Sequence, residues 1–140
     1  MGTDLFIRKE IEQGTDKQGR RMFSKVEVAN FGHCSDIVDE INWHVGGLAN
    51  CTSAFIEGKE FLEIKDELQK SREELETRNP AEYTYRESGI TDEEYEKACE
   101  EKKKSKISSY DDQLDELNTF IEEENITEDN EETYEVHLWF

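Results

Sequence analysis

His33 and Cys34 are neighbours in the chain, and Ser35 directly after them opens a helical pattern. A helix N-terminus lowers a thiol pKa and a nearby imidazole can take its proton, so this pair could build a thiol nucleophile. Side chains adjacent in sequence often point apart, and no third group orients the base, so a half-buried structural cysteine is the preferred reading. With His44 and Cys51 the pair makes a nominal zinc set. Nine residues separate Cys34 from His44 and six separate His44 from Cys51, which fits no standard zinc pattern, and no C-x-x-C is present. The run Glu128-Asp129-Asn130-Glu131-Glu132 is rich in oxygen ligands but lacks the order and central glycine of an EF-hand loop. No phosphate loop, dinucleotide fingerprint or nucleophile elbow occurs. The expectation is a protein that is not an enzyme, with no cofactor and no metal site.

Charge is the stronger signal. The chain carries 17 Lys and Arg against 36 Asp and Glu, net −19. No Lys or Arg follows Lys106, and the 34 residues from Ile107 to Phe140 hold twelve carboxylates. Asp111, Asp112, Asp115, Glu116, Glu122 and Glu123 fall on one band of a helical pattern, opposite Leu114 and Leu117. Over that span a helix rises about 18 Å. One DNA strand places about five phosphates in the same length. The band, continued by Glu128 and Asp129, can therefore present to a basic channel what a nucleic-acid strand would present. The plain alternative is a solvated face. An ordinary exposed helix mixes signs and gains from i,i+4 pairs, as the pattern over 59–78 does with seven acids and five bases; the band takes only repulsion.

The elements that must position these groups follow from periodicity. Residues 4–12 and 21–30 alternate apolar and polar, and the polar, glycine-containing segment 13–20 joins them as a hairpin. Ser35 as N-cap, apolar residues at 37, 38, 41 and 45, and Gly46-Gly47 delimit a first helix. Residues 53–57 form a short candidate strand, and 59–78 a second helix ended by Asn79-Pro80. Thr91 with Glu94 makes a capping box for a third helix to about Ile107, followed by a separate fourth helix over 109–124. Residues 133–140 alternate as a closing strand. The predicted fold is α+β: one domain over 1–140, with a small antiparallel sheet (the N-terminal hairpin plus the C-terminal strand) packed with about four helices.

Composition bounds the function. Seven Phe, five Tyr and two Trp argue for a folded core rather than a disordered chain. A sequence pI near 4.4 argues against direct contact with nucleic acid or with an anionic membrane surface. Three cysteines without framework spacing, and no signal or membrane-length apolar run, predict a reduced cytoplasmic protein.

The opening Met-Gly-Thr-Asp-Leu-Phe-Ile, the segment Val-Glu-Val-Ala-Asn-Phe-Gly-His-Cys and the closing Tyr-Glu-Val-His-Leu-Trp-Phe resemble, in general character, small phage and prophage proteins. The acidic, motif-free whole is similar to phage inhibitors of bacterial defence of the anti-CRISPR and anti-restriction type. That likeness implies a DNA-mimicking inhibitor in a bacterial host cell, with a CRISPR effector or restriction nuclease as partner. Asp111, Asp112, Asp115, Glu116, Glu122, Glu123, Glu128 and Asp129 would face its Arg and Lys, and Tyr83, Tyr85 or Trp139 would anchor the interface. The alternative is an interaction module that uses apolar surface and pairs with a second copy of itself.

Overall fold

The computed structural model describes residues 2–140. Four strands, β1 (Asp4–Thr15), β2 (Arg21–Asn30), β3 (Thr52–Glu57) and β4 (Thr133–Trp139), form one antiparallel sheet in the order β2-β1-β4-β3. Three α-helices, α1 (Ser35–Val45), α2 (Gly58–Thr77) and α3 (Asp92–Glu123), and a 3-10 turn at Pro80–Glu82 complete the chain. The closing strand lies between β1 and β3, which explains its apolar content. Tyr134, Val136 and Leu138 are buried on one face and pair across with Leu5, Ile7 and Ile56. These strands share a hydrophobic cluster with Ile37 and Ile41 of α1, Phe61, Ile64 and Leu68 of α2, and Leu114, Leu117, Phe120 and Ile121 of α3. Among the described residues no helix is long and apolar enough to cross a membrane.

The main departure from the predicted elements is α3. The two helices expected over 91–107 and 109–124 are one continuous helix of 32 residues, about 48 Å long. No Gly or Pro interrupts it, and the inward stripe keeps its three-to-four spacing through Tyr95, Cys99, Lys103, Lys106, Tyr110, Leu114, Leu117 and Ile121. The polar pair Ser108-Ser109 resembles a boundary, but the Ser109 hydroxyl accepts from Gln113 Nε2 one turn on, at 3.2 Å. Asn125, with φ of 53°, ends the helix, and the Ile126 N–H donates back to Ile121 O at 2.9 Å.

Capping also differs at α1. Ser35 is its first helical residue, and the preceding Cys34 makes no side-chain cap. The cap comes from α3: Gln113 Oε1 accepts from the N–H groups of Asp36 (2.9 Å) and Ile37 (3.2 Å). Its Nε2 donates to Asp36 Oδ2 at 2.7 Å. Gln113 is buried because these bonds satisfy it, and it ties the start of α1 to the middle of α3. The α1 end follows expectation: Gly46 takes φ of 77°, a left-handed geometry that glycine adopts freely.

The sheet face away from the helices carries a buried charge. Glu135 is 8% exposed and receives Lys25 Nζ at 2.5 Å and Arg8 Nη1 at 3.4 Å, so one carboxylate links β4, β1 and β2. The Lys25 hydrogen bond, aided by Arg8 against the effect of burial, holds its carboxyl below the usual range. A depressed carboxylate stabilises the fold above the ordinary carboxylate pKa, and that contribution is lost as pH falls through the folded value. Wild-type urea midpoints should therefore fall as pH drops from roughly 5, and Glu135→Gln should show a flatter decline. Identical acid limbs for the two proteins would mean that the trio adds nothing to stability.

Candidate functional site

The acidic half of α3 and the loop 125–132 carry the groups that the sequence singles out. Four of the twelve C-terminal carboxylates are taken up by partners distant in sequence. Asp111 receives Arg72 of α2 through Nε and Nη2. Glu116 faces His33, with Nε2 2.7 and 2.8 Å from its two oxygens. Glu124 holds Lys9 Nζ at 2.8 Å and accepts from the Tyr134 hydroxyl at 3.1 Å. Glu135 binds Lys25 and Arg8. The other eight, Asp112, Asp115, Glu122, Glu123, Glu128, Asp129, Glu131 and Glu132, are exposed and form no ion pair among the described residues.

Two expected contact residues are thus withdrawn from the free band. Asp111 is neutralised by Arg72, and Glu116 points to the turn before α1. Four free carboxylates remain between Asp112 and Glu123, over about 16 Å of helix. The charge density is lower than the sequence implies, but the loop extends it beyond the helix end. The placement is electrostatically costly: Glu122 and Glu123 sit in the last turn, where the helix dipole is negative and where α3 has no basic residue. The chain is matched by no protein-family model, curated protein or solved structure. Its chemistry must therefore be read from these residues.

Both side chains of the His33–Cys34 pair are engaged by Glu116. The Cys34 thiol is 1% exposed and lies 2.7 Å from Glu116 Oε2. Burial, then the hydrogen bond to Glu116 and the charges of Glu116 and Asp36, push it up to about 12, the reverse of what a helix N-terminus would do. Burial would raise the Glu116 carboxyl, but hydrogen bonds from Cys34 and His33 outweigh it and hold it below the usual range. The nominal zinc set is also dispersed. His44 Nδ1 lies 3.4 Å from Glu60 of α2, and Cys51 is exposed beside Asn50. Spacing along the chain could not have revealed the Glu116 contacts, because α3 supplies that residue 82 positions after Cys34.

The proposed aromatic anchors divide. Tyr83 is half-buried, flanked by Arg78 and Lys106 at 5.5 and 5.4 Å from its ring centre, so it is not free. Tyr85 is exposed, and so is Trp139. Trp139 belongs to a group on the outer sheet face that the sequence does not make obvious. Phe6 stacks on His137 at 6.5 Å, Arg8 lies 5.2 Å over Phe6, and Phe55 of β3 and Trp139 of β4 stand exposed on the same face.

Proposed function

We propose that this protein is a binding protein whose acidic edge occupies a basic nucleic-acid channel of its partner, in the manner of a phage-type inhibitor of a CRISPR effector or restriction nuclease. The observation that carries the reading is the set of eight exposed, unpaired carboxylates at one end of a rigid helix and in the loop beyond it. Such a set is repulsive within the protein and becomes favourable only against cations, so complementary charge would speed association and make it salt-sensitive. The contact residues are Asp112, Asp115, Glu122, Glu123, Glu128 and Asp129. The resemblance to small phage inhibitors supplies the class of partner.

The outer sheet face favours a second reading, an apolar docking surface. Phe55 is 66% exposed and lies on β3, an edge strand open to pairing with another chain.

One series of measurements separates the two. The protein is used as bait in a bacterial lysate, and the captured partner is then titrated. Asp112→Lys, Asp115→Lys and Glu123→Lys combined should weaken binding at least about 100-fold, a loss in line with several charge contacts. Wild-type affinity should also fall steeply with salt. Binding that ignores both changes but is lost in Phe55→Ser with Trp139→Ser assigns the sheet face instead.

A further inference from the structure

We propose that His33, Cys34 and Glu116 form a zinc-binding site at the junction of α1 and α3. His33 Nε2, Cys34 Sγ and a carboxylate oxygen of Glu116 all lie within 4.8 Å of one another. The imidazole nitrogen and the sulfur both converge on Glu116, at 2.7 Å each. Atoms bound to one tetrahedral zinc stand about 3.4 Å apart, given metal–ligand distances of about 2.0 to 2.3 Å. The contacts of His33 and Cys34 with Glu116 would therefore open by less than an ångström to admit the ion.

The surroundings suit a cation. Glu116 and neighbouring Asp112 have no Lys or Arg partner among the described residues, so no competing charge occupies the position. A cleft of about 410 Å³ opens on the three groups, and Asp112, Ser105 and Ser108 line it. The backbone is already fixed: Gln113 bonds α3 to the first turn of α1, at Asp36 two residues from Cys34, and lies three residues from Glu116. Ligands held by such supporting bonds lose little freedom on binding.

The donor set selects the metal. One thiolate, one imidazole and one carboxylate suit zinc and its borderline neighbours, and exclude magnesium and calcium, which take oxygen alone. Zinc would displace the Cys34 proton to solvent and bind His33 as neutral imidazole through Nε2. Three protein ligands leave a fourth position, and here it faces the cleft, where water completes the tetrahedron.

The site is tested on the full chain, stripped with a chelator and titrated with cobalt(II) as a spectroscopic substitute. The expected result is a one-to-one complex with a thiolate-to-cobalt charge-transfer band and the intense visible bands of four-coordinate cobalt, both erased by added zinc. Cys34→Ser should remove the charge-transfer band, while Cys51→Ser should leave it. His33 is exposed, so His33→Ala should fold normally and weaken zinc binding at least about tenfold; this variant decides the matter if Cys34→Ser does not fold. Absence of the charge-transfer band in the wild type, its survival in folded Cys34→Ser, or unchanged zinc affinity in His33→Ala would each overturn the proposal. None of these changes alters Asp112, Asp115 or Glu123, so the outcome is independent of partner binding by the acidic edge.

Discussion

Phe120→Ala should remove about 3–5 kcal/mol of stability, a large share of the 5–15 kcal/mol typical of a small domain. The ring is 3% exposed and sits where three elements and the turn before α1 meet. Its centroid lies 4.9 Å from Phe61 of α2, 5.5 Å from Phe31 ahead of α1 and 5.8 Å from Tyr134 of β4, each at a steep interplanar angle. Edge-to-face pairs of this kind add about 0.5–1.5 kcal/mol beyond the burial of area. Truncation would open a void that Phe61 and Tyr134 can fill only by abandoning their own contact at 5.7 Å. Denaturant unfolding followed by far-ultraviolet circular dichroism measures the loss. Tryptophan emission is a poor probe, because Trp43 and Trp139 are exposed. A cost below about 1 kcal/mol, within the ordinary range of point mutants, would show that the aromatic cluster is not the keystone of the core.

Gly32→Ala should be nearly as damaging for a different reason. A Cβ at Gly32 would stand 1.9 Å from the carbonyl oxygen of Thr3 and 2.6 Å from the Asp4 Cα. Both are backbone atoms, so no side chain can swing aside. The chain is pinned on each side of the clash. Phe31 N–H donates to Leu5 O at 3.0 Å, and Asn30 Oδ1 accepts from both Leu5 N–H and Gly32 N–H. Relief requires the start of β1 to move off, which strains its pairing with β4 from Asp4–Trp139 onward. Overpacking of this sort costs up to about 3 kcal/mol or more. Gly2→Ala, where the added methyl meets open space, is the matched control. Equal denaturation midpoints for Gly32→Ala and the control would refute the close approach.

The elements of this fold were largely legible from local spacing. The hairpin, the first and second helices, the short strand and the closing strand appear where alternation and turn residues place them, although β1 runs three residues past its expected end to Thr15 and Ser35 does not cap α1. Those features depend on side chains within a turn or two of each other. Reversal of charge and two serines near residue 108 imitate a boundary between two helices, where α3 is continuous. Neither feature breaks a helix whose buried stripe continues. Leu114 and Leu117 mark the apolar face opposite the acidic band, and Phe120, three residues beyond Leu117, faces the same core without being read as part of it. Gln113 was invisible as a cap, since a glutamine on a charged helix gives no local sign that a distant helix start will meet it.

The sequence by itself determined that this is an acidic α+β chain with its excess charge gathered after Lys106. Composition sets net charge, and residue periodicity sets which stripe is apolar, before any long-range contact forms. Only the tertiary structure decided which carboxylates remain free. Arg72, His33 and Lys9 reach Asp111, Glu116 and Glu124 from 39, 83 and 115 positions away. Such pairings are set by how helices and strands dock, because packing one apolar stripe on another fixes which polar edges come into register. The same docking brought Glu116 to His33 and Cys34. It thereby turned one residue of an expected acidic band into a ligand of the proposed metal site.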